Sequence, residues 1–290
     1  MTKTCLGPDP NPQPPRFTMP PKACDCHAHV LGPPKKYPYV PDRSYTPPTA
    51  CLKDYQTLHR VLGIERAVIV QPSVHGTDNQ VTLDGIAGYG PNARGVAVVD
   101  PGASDHELQQ LDDGGMRGVR LNLLFGGGVG LHALEPLAER IADMGWHVQL
   151  LLDARDLVEL APRLRKLPVP VVVDHMGHMK TNHGIDHPGF QILTELVRAG
   201  VCWVKLSGNY RISSAGPPYK DVIPFARTLI EAAPQRMIWG TDWPHPALSD
   251  FMPNDGDLLN ALDDYAPDAN LKKTILVDNP ARLYGFANHD

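Results

Sequence analysis

Asp242 lies where a short apolar segment ends, and the other reactive side chains of this 290-residue sequence can be arranged around it. The run Arg236-Met237-Ile238-Trp239 is typical of a buried strand, and Gly240 and Pro244 end it. In barrel and doubly wound α/β folds, the loops that follow such strands form the reactive edge. An aspartate before a turn is also common without any chemistry, so the local sequence leaves both interpretations open.

Two histidines separated by a single residue, His27 and His29, form the second candidate group. Strand alternation over residues 23–30 predicts that both imidazoles project from one face, together with Asp25. The cysteines of this segment fall on the other face and point the wrong way to be ligands. Adjacent imidazoles can bind a metal ion or donate hydrogen bonds, although a pair of histidines in a polar crevice is the plainer alternative.

Further polar side chains are predicted at or just after the C-terminal ends of other strands. They are Ser73, His75, Arg120, Asn122, His175 and Ser207. In a barrel of parallel strands, all of these would face one pocket together with Asp242. A barrel end that served only stability would not collect so many charged and imidazole groups. The pattern therefore favours catalysis or ligand binding at one rim.

Eight apolar segments of strand length alternate with segments of helical length along the chain. The strands are predicted at 23–30, 67–71, 95–100, 118–123, 147–152, 169–175, 201–207 and 237–240. Continuous apolar strands need cover on both faces, and eight of them close a (β/α)8 barrel. The predicted fold is α/β, a distorted (β/α)8 TIM barrel forming a single domain. Residues 1–20 form an extended N-terminal arm, and residues 21–290 form the barrel with its C-terminal helices.

The composition narrows the classes of partner. A formal net charge of −5, a pI near 6.2 and the absence of any Lys/Arg block argue against nucleic acid or an anionic membrane surface. No apolar run is long enough for a signal peptide or a membrane span. The five cysteines form no C-x-x-C pair, so reduced thiols are expected. We predict a cytoplasmic enzyme acting on a small molecule, without nucleic-acid or membrane partners, and leave open whether it forms a homo-oligomer.

Three motifs at predicted strand ends together resemble the amidohydrolase superfamily. They are His27-Ala28-His29, Asp174-His175-Met176-Gly177 and Gly240-Thr241-Asp242-Trp243-Pro244-His245. From about residue 15 to residue 285, the chain is similar to the lactonase branch of that superfamily, typified by 2-pyrone-4,6-dicarboxylate lactonase. Further stretches that match lie at 70–79, 114–120 and 215–218.

The resemblance implies a hydrolase that opens a small carboxylate-bearing lactone in the catabolism of aromatic compounds. A 2-pyrone-4,6-dicarboxylate-like, muconolactone-like or sugar-acid lactone would fit. Asp242 would be the general base toward water, since a carboxylate buried among imidazoles can be held near the pKa that the step needs. His27, His29 and His175 would polarise the lactone carbonyl. A lactone isomerase on the same scaffold and a non-catalytic small-anion binding protein are the alternatives.

The resemblance also implies how a metal ion and the substrate would be held. One zinc or manganese ion, or none, would lie among His27, His29, His175 and Asp242. A second ion is not expected, because the predicted ends of the fourth and fifth strands offer no bridging lysine or glutamate and no histidine. The expected substrate-binding residues are Tyr45, Ser73, His75, Arg120, Arg211 and His178. The two arginines would bind a carboxylate through forked hydrogen bonds.

Two positions depart from the dicarboxylate lactonase pattern. That pattern has an arginine where Gly126 falls and a tyrosine where Leu151 falls, and both serve a substrate carboxylate. Without them, one anionic group of a dicarboxylate would be poorly held. We therefore expect the substrate to carry one acidic group fewer, or one that is placed differently.

Overall fold

Eight parallel strands form the central sheet of the computed structural model, which describes residues 2–287. They are β1 Cys24–Ala28, β2 Arg66–Val70, β3 Ala93–Ala97, β4 Met116–Asn122, β5 His147–Leu151, β6 Val171–Val173, β7 Cys202–Leu206 and β8 Met237–Trp239. They lie side by side in chain order, and each pairs with the next in parallel register. The predicted distorted (β/α)8 barrel is confirmed.

Helices cover the outside of the sheet and follow the predicted alternation. They are α1 Leu52–Leu62, α2 Gln80–Tyr89, α3 Asp105–Asp113, α4 Leu134–Arg140, α5 Leu157–Leu164, α6 Pro188–Arg198, α7 Asn209–Ile212 and α8 Ile223–Ala232. The C-terminal helices are α9 Asp255–Tyr265, α10 Ala269–Lys273 and α11 Asn279–Tyr284, with a π-helical segment Thr274–Asp278 before the last. No helix within residues 2–287 is both long and apolar enough to cross a bilayer.

The barrel closes between β1 and β8, the two ends of the strand order, through hydrogen bonds just beyond the strands. The backbone N–H of Asp242 donates to the carbonyl of His27 at 2.7 Å, and the N–H of His29 donates to the carbonyl of Trp243 at 2.7 Å. We call these two bonds the seam. The seam fixes the H-x-H motif against Asp242, because its donors and acceptors belong to those residues.

A β-bulge in β1 changes the predicted alternation of its side chains. The pairing of β1 with β2 shifts register between Asp25 and Ala28. Asp25 points outward, where its carboxylate accepts a hydrogen bond from the hydroxyl of Tyr55 on α1 at 3.0 Å. His27 and His29 point inward, with their Nε2 atoms 3.3 Å apart. The prediction that Asp25 shares a face with the histidines is therefore wrong, because the extra residue of the bulge reverses the alternation between them.

The lower half of the barrel, nearer the N-terminal ends of the strands, is filled with apolar side chains. The cluster consists of Cys24, Cys26, Val68, Val70, Val96, Val172, Trp203, Ile238, Ala281, Tyr284 and Phe286. The last three come from the C-terminal segment that closes this end. Polar side chains inside the barrel are therefore concentrated in its middle and upper parts, at the C-terminal ends of the strands.

The N-terminal segment runs along the outside of the barrel before β1 begins. Lys3–Thr4 pairs in parallel with Tyr45–Thr46. The backbone N–H of Arg16 donates to the side chain of Asn260 on α9 at 2.6 Å. The segment is thus attached to α9 and to the loop that carries Tyr45.

Candidate active site

Asp242 lies at the upper end of the seam, directly after β8. Its backbone φ is 64°, in the left-handed region that non-glycine residues seldom occupy. Its carboxylate Oδ1 lies 3.7 Å from Nε2 of His27 and 3.9 Å from Nε2 of His29, and Oδ2 lies 3.7 Å from Nε2 of His175. The structure brings together the four residues predicted from the sequence as catalytic and metal-binding.

The two carboxylate oxygens of Asp242 have different surroundings. Oδ2 accepts hydrogen bonds from Nε of Arg211 and, at 2.6 Å, from the hydroxyl of Tyr210. Oδ1 is buried and accepts no hydrogen bond from residues 2–287. Burial raises the pKa of Asp242, but the guanidinium of Arg211 opposes it, and this pKa lies well below its usual value. The pKa thus moves away from neutrality and not toward it, and Asp242 stays ionised with Oδ1 unpaired.

The inward-facing imidazoles of His29 and His175 are oriented by groups behind them. Nδ1 of His29 lies 2.8 Å from the carbonyl of Val70, and Nδ1 of His175 lies 2.9 Å from the hydroxyl of Ser207. Burial lowers the pKa of both imidazoles well below the usual value, so both rings are neutral. A carbonyl only accepts, so His29 carries its proton on Nδ1 and presents a lone pair at Nε2.

Lys205 on β7 is a buried cation below the imidazoles, and its role was not predicted from the sequence. Its Nζ lies 3.0 Å from Nδ1 of His27, 2.7 Å from Oε1 of Gln149 and 3.4 Å from Oδ1 of Asp174. Asp174 in turn lies 3.2 Å from the same Nδ1 of His27. The signal that could have revealed this cluster was a lysine within the apolar strand at 201–207, since lysines are almost never fully buried without partners.

The donor set at the top of the barrel fits a single divalent ion. A ring nitrogen of His27, a ring nitrogen of His175 and a carboxylate oxygen of Asp242 lie within 4.8 Å of one another. The 3.3 Å between Nε2 of His27 and Nε2 of His29 is close to the ligand separation of tetrahedral zinc, about 3.3–3.4 Å for Zn–N bonds of about 2.0–2.1 Å. Asp174 behind His27 is the kind of outer partner that metal-binding histidines have.

Above the imidazoles is a pocket that encloses about 310 Å³ of space not filled by protein atoms. This volume includes space that is open to solvent at the mouth of the pocket. The predicted residues in its wall are His29, Tyr45, Ser73, Arg120, Asn122, His175, His178, Arg211 and Asp242. Phe125, Leu151, Pro246 and Ala247 complete it.

Arg120 and Arg211 face this pocket, but protein oxygens already occupy much of each guanidinium. Nε and Nη2 of Arg120 both donate to Oδ2 of Asp174, each at 3.3 Å. Nε of Arg211 donates to Asp242, and its Nη2 donates to the carbonyl of Pro246 at 3.0 Å. Within residues 2–287, Nη1 of each arginine makes no hydrogen bond. The structure therefore does not show free forks for a substrate carboxylate, and each arginine offers one terminal nitrogen.

His75 and His178 differ in their relation to the pocket. Nδ1 of His75 lies 3.1 Å from the carbonyl of Pro38, and its ring packs against Tyr37 and Tyr39. His75 thus supports the loop at the rim, and the structure does not bring it into the pocket wall. His178 does line the pocket; burial lowers its pKa to about 4, and its Nε2 has no hydrogen-bond partner among the described residues.

The two positions that depart from the dicarboxylate lactonase pattern remain without basic groups in the fold. Leu151 forms part of the pocket wall. A Cβ atom at Gly126 would lie 2.9 Å from the carbonyl oxygen of Asp42, so a larger residue would require the backbone to move. Arg117 does not replace the missing cation, because it lies at the lower end of β4 and pairs with Asp112 at 3.1 Å.

A parallel barrel that presents two histidines at the end of β1, one after β6 and an aspartate after β8 defines a barrel enzyme with a histidine–aspartate centre. The amidohydrolase family model matches residues 24–286, and the chain belongs to this family.

Relatives of known activity align over nearly the whole chain. A 4-sulfomuconolactone hydrolase of Hydrogenophaga intermedia is 43% identical, over 97% of this chain and 94% of the relative. A 2-pyrone-4,6-dicarboxylate hydrolase of Comamonas testosteroni is also 43% identical, over 94% of this chain and 93% of its own. A D-galactarolactone isomerase of Agrobacterium fabrum is 33% identical, over 98% of this chain and 96% of its own.

Solved structures share the fold at similar coverage. The apo structure of Agrobacterium tumefaciens ATU3138 superimposes with a TM-score of 0.85 at 32% identity, covering 94% of this chain and 99% of the other. An Acinetobacter baumannii structure, assigned as a 2-pyrone-4,6-dicarboxylic acid hydrolase and solved with citric acid bound, gives a TM-score of 0.80 at 29% identity. It covers 91% of this chain and 100% of the other.

Proposed function

We propose that the protein is a lactonase that hydrolyses the cyclic ester of a small lactone carrying an acidic group. The observation that carries the proposal is Oδ1 of Asp242, which is buried, accepts no hydrogen bond from the described residues and lies 3.7 Å from Nε2 of His27, beside a pocket whose wall includes Arg120 and Arg211. The activities of the relatives, which open sulfomuconolactone and 2-pyrone-4,6-dicarboxylate, support the reaction and the acidic substrate class.

In this mechanism Asp242 is the general base. Its lowered pKa keeps it ionised at neutral pH, so Oδ1 can accept a proton from water while Arg211 and Tyr210 hold Oδ2. The water oxygen bonds to the carbonyl carbon, the ring C–O bond breaks, and the ring oxygen takes up the proton from Asp242. The product is a hydroxy acid, or its keto form when the released oxygen is enolic.

His27 is the side chain proposed to polarise the carbonyl. When Lys205 donates to Nδ1 at 3.0 Å, a neutral His27 carries its proton on Nε2, which can donate to the carbonyl oxygen. When His27 instead donates from Nδ1 to Asp174, Nε2 presents a lone pair. In that arrangement His27, His29, His175 and Asp242 would hold at most one zinc or manganese ion, which would polarise the carbonyl as a Lewis acid when bound.

The acidic group of the substrate is proposed to bind at the far wall of the pocket. Nη1 of Arg120 and Nη1 of Arg211 each offer one charged contact, and Tyr45, Ser73 and His178 add neutral donors. Two single contacts from separate arginines suit one compact anion, either a carboxylate or a sulfonate, placed between them. Leu151 leaves no partner for a second anion on its side of the pocket.

Lactone isomerisation is the second candidate, because a galactarolactone isomerase is 33% identical over 98% of the chain. It would use Asp242 to move a proton or hydroxyl group within the substrate, without net addition of water. Reactions in ¹⁸O-labelled water distinguish the two: hydrolysis places the label in the new carboxylate, whereas isomerisation conserves the mass of the substrate.

A panel of lactones with one or two acidic groups, assayed with the wild type and with Asp242→Asn, tests the proposal. We expect Asp242→Asn to lower kcat by about 10²–10⁴, the usual contribution of a general base. Asp153→Asn is the matched control, because Asp153 lies at the same rim but outside the pocket wall and pairs with Arg155 at 2.7 Å. Full activity of Asp242→Asn would mean that a different group is the base, whereas no turnover of any lactone by the wild type would favour a binding protein.

A further inference from the structure

We propose that Tyr210, His245 and Asp255 form a buried positioning chain that directs the carboxylate of Asp242, a proposal that rests on the lactonase function. The hydroxyl of Tyr210 donates to Oδ2 of Asp242 at 2.6 Å. Nδ1 of His245 lies 3.2 Å from that hydroxyl, and Nε2 of His245 makes an ion-pair contact with Oδ1 of Asp255 at 3.1 Å. The four side chains come from α7, the loop after β8 and the first turn of α9.

The burial of Asp255 shows that it is more than a helix-end charge. The side chain of Asn254 already caps α9 by accepting the N–H of Gly256 at 3.0 Å. Asp255 is 0% exposed, and neither of its oxygens accepts a hydrogen bond from any of the described residues, so its 3.1 Å contact with Nε2 of His245 is one of distance alone. A buried carboxylate costs several kcal/mol unless a cation or donor faces it. His245, also 0% exposed, is the group in ion-pair contact with it.

The chemistry of the four groups fixes the direction of each contact. A carboxylate only accepts, so Asp242 requires the hydroxyl of Tyr210 to be the donor. The oxygen of Tyr210 is then an acceptor toward Nδ1 of His245.

The chain acts on one oxygen of Asp242 and leaves the other free. Tyr210 and Arg211 are sequence neighbours on α7, and both donate to Oδ2. Two donors fix the plane of the carboxylate, whereas one donor would let it rotate about the bond to Cβ. His245 and Asp255 hold the Tyr210 hydroxyl in its donor orientation, so that Oδ1 keeps facing the imidazoles and the pocket. They are positioning residues, since neither touches the substrate pocket.

A double-mutant cycle in kcat tests the chain with the best lactone from the panel. Tyr210→Phe, His245→Gln and Asp255→Asn should each lower kcat at least about tenfold, while KM changes less than about twofold. The Tyr210→Phe/Asp255→Asn double variant should be no slower than Tyr210→Phe alone, because Asp255 acts through the hydroxyl that is already missing. Asp257→Asn is the control: it removes the same charge from the same turn of α9, but its side chain is exposed.

Independent effects of the Tyr210 and Asp255 substitutions on kcat would contradict the proposal of a positioning chain. If Asp255→Asn lowers kcat by the same factor with Tyr210 and with Phe at position 210, then Asp255 does not act through that hydroxyl. Asp255→Glu, which keeps the charge, should recover part of kcat if it reaches His245. If Asp255→Asn folds poorly, the double-mutant cycle in kcat is made with Tyr210→Phe and His245→Gln instead. The wild-type rate and its loss in Asp242→Asn test the lactonase function separately, whichever way the cycle turns out.

Discussion

Nζ of Lys205 lies 3.0 Å from Nδ1 of His27, and both side chains are fully buried. Burial lowers the pKa of Lys205, and the nearby carboxylate of Asp174 opposes that change. Nδ1 of His27 is thus placed between a cation that can only donate and a carboxylate that can only accept. The partner that it uses decides whether Nε2 presents a proton or a lone pair to the pocket.

Replacing Lys205 should favour the form of His27 that presents a lone pair at Nε2. In Lys205→Met, a side chain of similar length removes the donor, so His27 is expected to donate to Asp174 and to present a free Nε2. We expect kcat/KM without added metal to fall at least about tenfold and the affinity for added zinc to rise. Calorimetric zinc titration and rates with and without chelator measure both. Lys273→Met is the control, since Lys273 is exposed and pairs with Asp278. An unchanged zinc affinity in Lys205→Met would contradict the interpretation that Lys205 sets the position of the proton on His27.

Metal content should not exceed one ion per chain. The pocket residues from the ends of β4 and β5 include Asn122 and Leu151, and neither can bridge two ions. Protein purified without chelator and analysed by mass spectrometry of metals should contain one equivalent or less, and chelation should not unfold it. Two tightly held equivalents would refute the argument from these strand ends.

Substrate preference should reflect the lack of a residue beside Leu151 that could bind a second acidic group. We expect lactones with one acidic group to have a higher kcat/KM than 2-pyrone-4,6-dicarboxylate, because Arg120 and Arg211 are the arginines that residues 2–287 contribute to the pocket wall. Leu151→Tyr adds a phenol donor to the wall and should narrow the difference between the two substrates, mainly through KM. Were the dicarboxylate the best wild-type substrate, other groups, with His178 the first candidate, would have to hold its second anion.

Acidification should destabilise the protein through His147, which lies at the lower end of β5. Burial and the charge of Lys205 lower the pKa of His147 to about 3. In the unfolded chain the imidazole has an ordinary pKa of about 6.5 and binds a proton below that pH, whereas the native state does not bind it. The contribution of the neutral His147 to stability is therefore complete above about pH 6.5 and is lost as the pH falls toward 3. The loss is about 1.4 kcal/mol per pH unit in this window.

The matched comparison for this pH effect uses a residue that does not titrate. Between pH 6.5 and 5, the free energy of unfolding of His147→Gln should fall by about 2 kcal/mol less than that of the wild type. Urea unfolding at both pH values measures it. His183→Gln changes an exposed imidazole and should follow the wild type. Equal pH dependence in His147→Gln would mean that His147 is protonated in the native state.

Much of the scaffold follows from local patterns in the sequence. Runs such as 147–152 are apolar throughout because barrel strands are covered on both sides, and their spacing allowed all eight to be found. The positions of Asp242, His29 and His175 followed from the rule that strand ends gather at one rim. These features depend on the chain order and on side-chain periodicity, which a single sequence contains.

The contacts that were missed depend on which strands face each other across the barrel. The bulge that turns Asp25 outward is set by pairing with β2 and has no signature in β1 itself. Lys205, Gln149 and Asp174 come from three strands, and only the closed barrel brings them to His27. Likewise, the arginine forks are occupied by carboxylates from other segments, so their chemistry toward a ligand could not be inferred from the residue type alone.

The seam between β1 and β8 has a consequence for how the enzyme would be inactivated. The bonds that close the barrel are made by the backbones of His27, His29, Trp243 and Asp242 themselves. A molecule in which the first and last strands separate therefore loses the alignment of its base and imidazoles at the same moment. Separation of these strands on heating would therefore abolish catalytic turnover, and the rate that is lost in this way reports the opening of the barrel.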